Sequence, residues 1–143
     1  MVAQTEGRNT PELSGIEREG LLGASQAIFV GSILMRNVSG HLLKGVVATG
    51  SFGVGRAEKA GTSTTAGVTS QRYRTGTYRF ANSTAGDLIV TADIGAACYI
   101  VDDQTVAKTN GTATRSPAGI IDGVDALGVW VRFDEALTRA ILS

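Results

Sequence analysis

The sequence has little of several residue types, and each shortage argues against a class of protein. One cysteine, Cys98, has no partner for an intrachain disulfide, so a disulfide-stapled secreted scaffold is excluded. One histidine, His41, and that cysteine cannot supply the three or four ligands of a typical zinc site. With 13 basic and 13 acidic residues, the chain lacks the basic surplus of nucleic-acid binders. We therefore expect no metal, no cofactor and no nucleic-acid partner.

Long apolar runs are scarce as well. No run approaches the ~20 residues that a membrane-spanning helix needs. Residues 1–20 carry several charges and lack the apolar core of a signal peptide. These features predict a soluble protein that is made in a reducing cytoplasm and has no membrane partner.

Glycine, by contrast, is abundant, with 19 residues against only 2 prolines. Together with many serines and threonines, this composition favours short strands and turns over long helices. A chain of 143 residues suits a single core. We predict a mainly β fold, namely an antiparallel β-sandwich or β-barrel-like (β-tulip type) domain over 27–143. An extended N-terminal arm over 1–26 precedes it, and a short C-terminal helix ends it.

Turn residues divide the domain into short runs with strand character. The clearest is a hairpin over 118–133 that turns just before Gly128. Alternate residues of its returning strand share the core face, and Trp130 lies on the other face. The residues predicted to face the core are Val129, Val131 and Phe133. The other predicted strands are 27–37, 41–49, 72–81, 87–91, 97–101 and 105–107.

Three segments are predicted to lie outside the sheets. Gly50–Gly55 is glycine-rich but matches neither the dinucleotide fingerprint nor the P-loop, so we interpret it as a tight loop. Residues 58–70 have few side chains that could anchor in a core, which predicts a long loop. Residues 134–142 predict a helix with Asp134 and Glu135 at its positive end.

Candidate catalytic groups are few. His41 stands at the start of a predicted strand, and Cys98 lies in an apolar strand, where free cysteines are usually buried. Asp102 and Asp103 resemble a carboxylate pair or part of a calcium site, but adjacent strand residues point to opposite faces. We interpret them as a strand-ending turn. No catalytic residue is predicted.

Arginine and aromatic residues alternate between Arg72 and Phe80. Such a stretch can stack bases, anchor a protein interface, or form a strand with a solvated arginine face, and the sequence leaves these three open. Trp130 either covers a second core or lies at an interface. The predicted interface residues are Arg72, Tyr73, Arg74, Arg79 and Trp130.

Four stretches, in this order, resemble small proteins from the head gene region of Mu-like tailed phages. They are Thr84–Gly95, Cys98–Thr109, Arg115–Ile121 and Gly128–Arg132. The similarity covers about residues 45–133 and includes no catalytic motif. Residues 1–40 carry no comparable signature.

This resemblance implies a head decoration protein, also called a minor capsid or capsid cement protein. Such proteins sit outside the head, often as trimers, and hold neighbouring major capsid proteins together against DNA pressure. For this chain the resemblance implies two partners, the major capsid protein and further copies of itself, and a location on the virion head exterior. No functional residue transfers by motif.

Three other functions fit the sequence less well. A tail- or fibre-associated or glycan-binding surface module shares the β composition. A small hydrolytic enzyme would need a convergent carboxylate pair or a histidine-based site. A nucleic-acid packaging role would need a basic surplus.

Overall fold

The computed structural model describes residues 2–13 and 15–142, which form twelve strands and one α-helix. The strands are β1 (Glu17–Leu21), β2 (Ala27–Ile28), β3 (Ile33–Arg36), β4 (Leu42–Lys44), β5 (Phe52–Ala57), β6 (Gly61–Thr62), β7 (Ser70–Arg74), β8 (Gly76–Phe80), β9 (Ala97–Ile100), β10 (Val106–Ala107), β11 (Pro117–Asp125) and β12 (Gly128–Phe133). The helix is α1 (Glu135–Leu142). Two 3-10 turns lie at Ala85–Asp87 and Thr91–Asp93.

The strands form two five-stranded antiparallel sheets and a small ribbon. The first sheet has the order β1-β7-β5-β3-β4, the second has the order β10-β9-β11-β12-β8, and β2 pairs with β6. The predicted mainly β, antiparallel, sandwich-like class with a short C-terminal helix is confirmed. No helix in the described part of the chain is long and apolar enough to cross a membrane.

Both sheets curl until their edges touch at one point. Leu22, just after β1, forms a single parallel bridge with Leu42 of β4. Ala81, just after β8, forms another with Thr105, just before β10. Over the described residues neither sheet closes further, so neither forms a closed barrel.

The main core lies between the sheets. Ile33 and Met35 of β3 point into it from the first sheet, and the second sheet supplies most of the rest. Phe80 and Phe133 meet edge to face, with ring centroids 5.9 Å apart. Each fully buried side chain of this size contributes roughly 1.5–3 kcal/mol. The other buried members are Ile89, Cys98, Ile100, Val106, Ala118, Ile121, Val129 and Val131.

A second core lies on the opposite face of the first sheet. Leu34 belongs to it because successive strand residues point to opposite faces. The β2–β6 ribbon covers one part through Ile28, and α1 covers another through Arg139, whose guanidinium lies 5.8 Å from the Phe52 ring centroid. The remaining members are Leu22, Leu42, Val54, Ala57 and Tyr73.

The predicted tight loop at Gly50–Gly55 is wrong for its larger part, because β5 begins at Phe52. A Cβ on Gly53 would lie 2.1 Å from the carbonyl oxygen of Ala118 in β11. A Cβ on Gly55 would lie equally close, 2.1 Å, to the carbonyl oxygen of Arg74. The glycines therefore permit close backbone approach within a strand and do not mark a loop.

The predicted strand at 87–91 is also wrong. Leu88–Val90 lies between the two 3-10 turns and pairs with no strand. The Asn82 side chain substitutes for a strand partner, since its Oδ1 accepts from the Ile89 amide at 2.9 Å and its Nδ2 donates to the Ile89 carbonyl at 2.8 Å. Ile89 is thereby anchored in the core without a ladder.

Several predicted boundaries also differ from the structure. The predicted strand at 72–81 is interrupted at Thr75 and forms two strands, β7 and β8, which belong to different sheets. The Thr75 hydroxyl donates to the Phe133 carbonyl at 3.0 Å. The run 27–37 is divided by a turn at Gly31 (φ 87°). Within the predicted arm over 1–26, β1 pairs with β7. The run 41–49 is a strand only over β4, and the 58–70 segment contains β6 and the start of β7.

The C-terminal hairpin and helix are confirmed. β11 and β12 pair through Asp125 and Gly128, with a bulge between Ile121 and Gly123. The Asp134 side chain caps α1 by accepting a hydrogen bond from the Leu137 amide at 3.1 Å.

Candidate functional site

The predicted interface residues fall on both sheets. Arg72, Tyr73 and Arg74 lie on β7 of the first sheet, whereas Arg79 and Trp130 lie on neighbouring strands of the second. Arg79 and Trp130 are direct cross-strand partners. The structure therefore divides the predicted set into two places.

Tyr73 is a core residue with only 2% of its surface exposed. Its hydroxyl accepts from Arg36 Nη2 at 2.9 Å and donates to Glu135 Oε1 at 2.5 Å, while Arg36 Nε lies 3.4 Å from Glu135 Oε2. Burial, and then the Glu135 carboxylate, raises the pKa of Tyr73 to about 12. We call these three residues the α1 clasp, because they join β3 and β7 to the helix.

Arg74 belongs to a chain of ion pairs along the first sheet. Its Nη2 lies 3.4 Å from Glu17 of β1, and its Nε lies 3.8 Å from Glu58. Arg56 Nη2 lies 2.7 Å from the same Glu58 oxygen, and its guanidinium stacks 4.3 Å from the Tyr78 ring centroid. The guanidinium groups of these arginines are therefore already paired with carboxylates or an aromatic ring. Partly exposed ion pairs of this kind contribute only about 0–1 kcal/mol each to the free energy of unfolding.

Trp130 is the centre of an exposed cluster on the outer face of the second sheet. It is 38% exposed, and its indole Nε1 donates to Asp125 Oδ2 at 2.9 Å. Arg79 Nη1 lies 3.5 Å from that oxygen, and the guanidinium lies 5.3 Å from the indole. The indole hydrogen bond is the main cause that lowers the pKa of Asp125. Leu127, at the hairpin tip, is 74% exposed.

We call Arg79, Asp125, Leu127 and Trp130 the Trp130 platform. Tryptophan and arginine are enriched among the residues that dominate binding energy at interfaces. Asp125 fixes both large side chains in one arrangement, so little rotamer freedom remains to be lost on contact. The platform is suited to a protein interface.

A second exposed surface lies at one end of the fold and was not predicted from sequence. Phe29 and Val30 are 67% and 68% exposed in the turn between β2 and β3. The Ile33 amide donates to the Asp103 carbonyl at 2.8 Å, and the Gly45 amide donates to the Ile33 carbonyl at 2.8 Å. The second bond ties the start of β3 to the end of β4, and the loop that follows β4 exposes Val46 and Val47. We call Phe29, Val30, Val46 and Val47 the apolar rim.

The arm over 2–13 is the third surface. It forms no helix or strand, and all its residues are exposed. It precedes β1, an edge strand of the first sheet. Segments of this kind can become ordered on a partner.

The candidate catalytic groups do not converge. Cys98 is fully buried, which raises the pKa of its thiol to about 12 and keeps it protonated. Asp102 Oδ1 accepts from the Gln104 amide at 2.9 Å, and Asp103 Oδ2 lies 3.4 Å from the Ser32 hydroxyl. Within residues 2–13 and 15–142, no group of three or more acidic, histidine or cysteine side chains is placed to hold a metal.

A cleft of about 420 Å³ lies between the end of α1 and the 110–115 loop. That loop is a left-handed turn, with φ of 63°, 61° and 61° at Gly111, Thr112 and Ala113. The Thr114 and Arg115 amides both donate to the Asn110 carbonyl at 3.0 Å. Left-handed backbone costs a non-glycine residue about 1–2 kcal/mol, and such strain is concentrated at functional sites.

No protein-family model, curated protein or solved structure matches the chain. Its function is therefore inferred from these surfaces and from the resemblance of the segments between residues 45 and 133.

Proposed function

We propose that this chain is a structural, non-enzymatic virion protein that binds the outside of a tailed-phage head. There it cements neighbouring major capsid proteins against internal DNA pressure. The observation that carries the proposal is the exposed arm over 2–13, which leads into edge strand β1 of a packed β domain. Its partners are the major capsid protein and further copies of itself, arranged as a homotrimer.

The position of the resembling stretches supports this proposal. Thr84–Gly95 holds both 3-10 turns, Cys98–Thr109 holds most of β9 and all of β10, Arg115–Ile121 starts β11, and Gly128–Arg132 forms most of β12. Together they make up most of the second sheet, which is one contiguous unit. Within the wider similarity over about residues 45–133, these four stretches gather in and beside one sheet, as a shared scaffold would produce.

The length of the arm allows it to contact a capsid subunit at a distance from the β domain. Residues 2–13, when fully extended, span roughly 40 Å at ~3.3–3.6 Å per residue. Ordering the arm on a capsid subunit costs conformational entropy, so each contact is weak for its area. Because the protein is repeated over the shell and bound as an oligomer, weak contacts add up to firm attachment.

The arm, the Trp130 platform and the apolar rim each have a separate role in the proposed function. The arm, with the exposed part of the 58–74 segment, grips adjacent capsid subunits. The Trp130 platform lies on the β domain and forms the contact between copies. The apolar rim is available to the capsid floor, since exposed apolar patches mark interaction sites.

Co-sedimentation with heads that lack this protein tests the proposal. We expect saturable binding of the full chain and heads that survive heating better. Deleting residues 2–13 should lower the affinity by at least about tenfold, since even ~1.4 kcal/mol of arm contact corresponds to that factor. The deletion ends before β1, so the midpoint of thermal unfolding should stay unchanged.

A matched control replaces residues 2–13 by a glycine–serine segment of equal length. It keeps the length of the chain and removes the side chains. If it binds heads as well as the full chain does, the arm acts only as a spacer and the gripping role is wrong. If the full chain does not bind heads at all, the cement proposal is wrong.

A further inference from the structure

We propose that the cleft between α1 and the 110–115 turn is a binding site for a neutral sugar. Its walls come from five parts of the chain: the loop before β5, strand β9, the 110–115 turn, the start of β11 and the end of α1. At about 420 Å³ it falls within the roughly 300–1,000 Å³ of small-molecule sites. The proposal is independent of head binding, because the arm does not line the cleft.

The lining combines apolar surface with a few polar groups. Tyr99, Pro117 and Ile141 supply one aromatic ring, one pyrrolidine ring and one aliphatic side chain. Thr49 supplies a hydroxyl, and Asn110 supplies an amide. Ligand sites typically show this mixture, with apolar walls for contact area and a few polar groups for orientation. A sugar ring matches it, since its C–H face is apolar and its edge carries hydroxyls.

The charge of the cleft favours a neutral ligand. Among the described residues that line it, Arg115 is the one with a charged side chain. Its Nη1 lies 3.1 Å from Asp87 Oδ2 and donates to the Thr109 carbonyl at 3.0 Å. Asp87 is in turn held by the Thr109 hydroxyl at 2.5 Å. The guanidinium is therefore already balanced, so an anion gains little there, while the remaining N–H groups can donate to hydroxyls.

The left-handed turn makes this wall rigid. Asn110 accepts the Thr114 and Arg115 amides on its carbonyl, and its Oδ1 accepts the Ala113 amide at 3.1 Å. Its side-chain oxygen is thus oriented inside the turn, which leaves the NH₂ group as the donor for a ligand. The Thr114 hydroxyl closes the turn by donating to the Gly111 carbonyl at 2.7 Å. A preorganised wall lowers the entropy that binding must overcome.

Amide chemical-shift mapping on the full chain tests the site with lactose, maltotriose and chitotriose as neutral probes. A sulfated heparin disaccharide serves as the charged contrast. We expect millimolar binding of at least one neutral probe, with shifts confined to the amides of Gly50, Tyr99 and residues 110–115. No shift with any neutral probe, shifts away from the cleft, or a response to the sulfated probe alone would each overturn the proposal.

Two matched variants sharpen the test. Thr49→Trp places a large ring in the cleft from its exposed edge and should weaken neutral-sugar binding at least about tenfold. Thr62→Trp makes the same change at an exposed threonine of β6 that does not line the cleft and should bind as the unmodified chain does. Equal loss in both variants, or none in Thr49→Trp, contradicts the assignment. The shift map of the unmodified chain decides the matter if Thr49→Trp does not fold, and head co-sedimentation should be unchanged in both.

Discussion

Gly53 shows how strongly one residue can determine the packing of the two sheets. Its Cα faces the backbone of β11, and a side chain there would collide with the Ala118 carbonyl and not with a flexible side-chain end. Backbone cannot rotate out of the way as a side chain can, so the sheets would have to separate. A similar close approach occurs within the second sheet at Gly128 of β12, whose Cβ would lie 2.2 Å from the carbonyl oxygen of Phe80 in the neighbouring strand β8.

We predict that Gly53→Ala lowers the free energy of unfolding by about 3 kcal/mol or more, the upper part of the range for overpacked sites. Urea denaturation measures the change. Gly7→Ala is the control, because a Cβ there has open space and the glycine lies in the exposed arm, so the change should stay within about 0.5 kcal/mol. Equal stability of the two variants would show that β5 and β11 are not in this close contact.

At the scale of elements, local pattern predicted some strands well and others poorly. The β11–β12 hairpin was predicted because its alternation and its turn are both local in sequence, as was the α1 start at Asp134. β5 was missed because its glycines are explained by close approach to Ala118 and Arg74, which lie further along the chain. Leu88–Val90 was predicted as a strand because its β-branched residues are typical of strands. The sequence pattern is the same whether a neighbouring strand or, as here, the Asn82 side chain supplies the hydrogen bonds.

The candidate surfaces were likewise predicted where the signal is local in sequence and missed where it depends on distant residues. Alternation along β12 correctly placed Trp130 on the face opposite the core. Arg79, its cross-strand partner, was also among the predicted interface residues. Tyr73 was named too, but its partners Arg36 and Glu135 come from distant elements, so its burial had no local signal. The apolar rim was missed because its residues come from two separate turns that no local pattern links.

Two buried groups, Tyr73 of the α1 clasp and Cys98 of the main core, make stability depend on pH in the alkaline range. Tyr73 has its pKa raised from 10.0 to about 12 in the folded chain, and Cys98 has its pKa raised from 9.0 to about 12. Both groups stay protonated when folded and ionise more readily when unfolded. Their contribution is complete below the unfolded pKa values and is lost as the pH rises through the folded ones.

We predict that the free energy of unfolding falls as the pH rises from about 9 to 12, by roughly 1.4 kcal/mol per unit for each group that titrates only in the unfolded chain. Denaturant unfolding over this pH range measures it. Tyr73→Phe should remove the part that begins near pH 10, and Cys98→Ala the part that begins near pH 9. An unaltered pH slope in either variant would exclude that group as the cause.

At the scale of the whole molecule, the proposed function depends on the same small surface being used in every copy of an oligomer. In the proposed trimer the same patch is buried three times, so a single change at the Trp130 platform is multiplied by symmetry. Because Trp130 is partly exposed, we expect its removal to affect the proposed association more than folding.

We predict that Trp130→Ala weakens self-association by about thirtyfold or more, which corresponds to at least ~2 kcal/mol for a dominant interface residue. Sedimentation velocity over a concentration series measures it. Arg132→Ala removes an exposed side chain from the same strand face and should leave the association unchanged. If Trp130→Ala associates as the unmodified chain does, the contact between copies lies elsewhere.

The junction of the arm with β1 has a mechanical consequence. All five residue pairs between β1 and β7 lie between the arm and the Leu22–Leu42 bridge. Antiparallel hydrogen bonds run perpendicular to the strands, so tension along β1 loads these bonds together in shear. Tension perpendicular to β1 would instead unzip them one at a time, beginning with the Glu17–Arg74 pair. In the proposed cement role, a capsid that swells and draws the arm along the strand axis therefore pulls against the strongest direction of this junction.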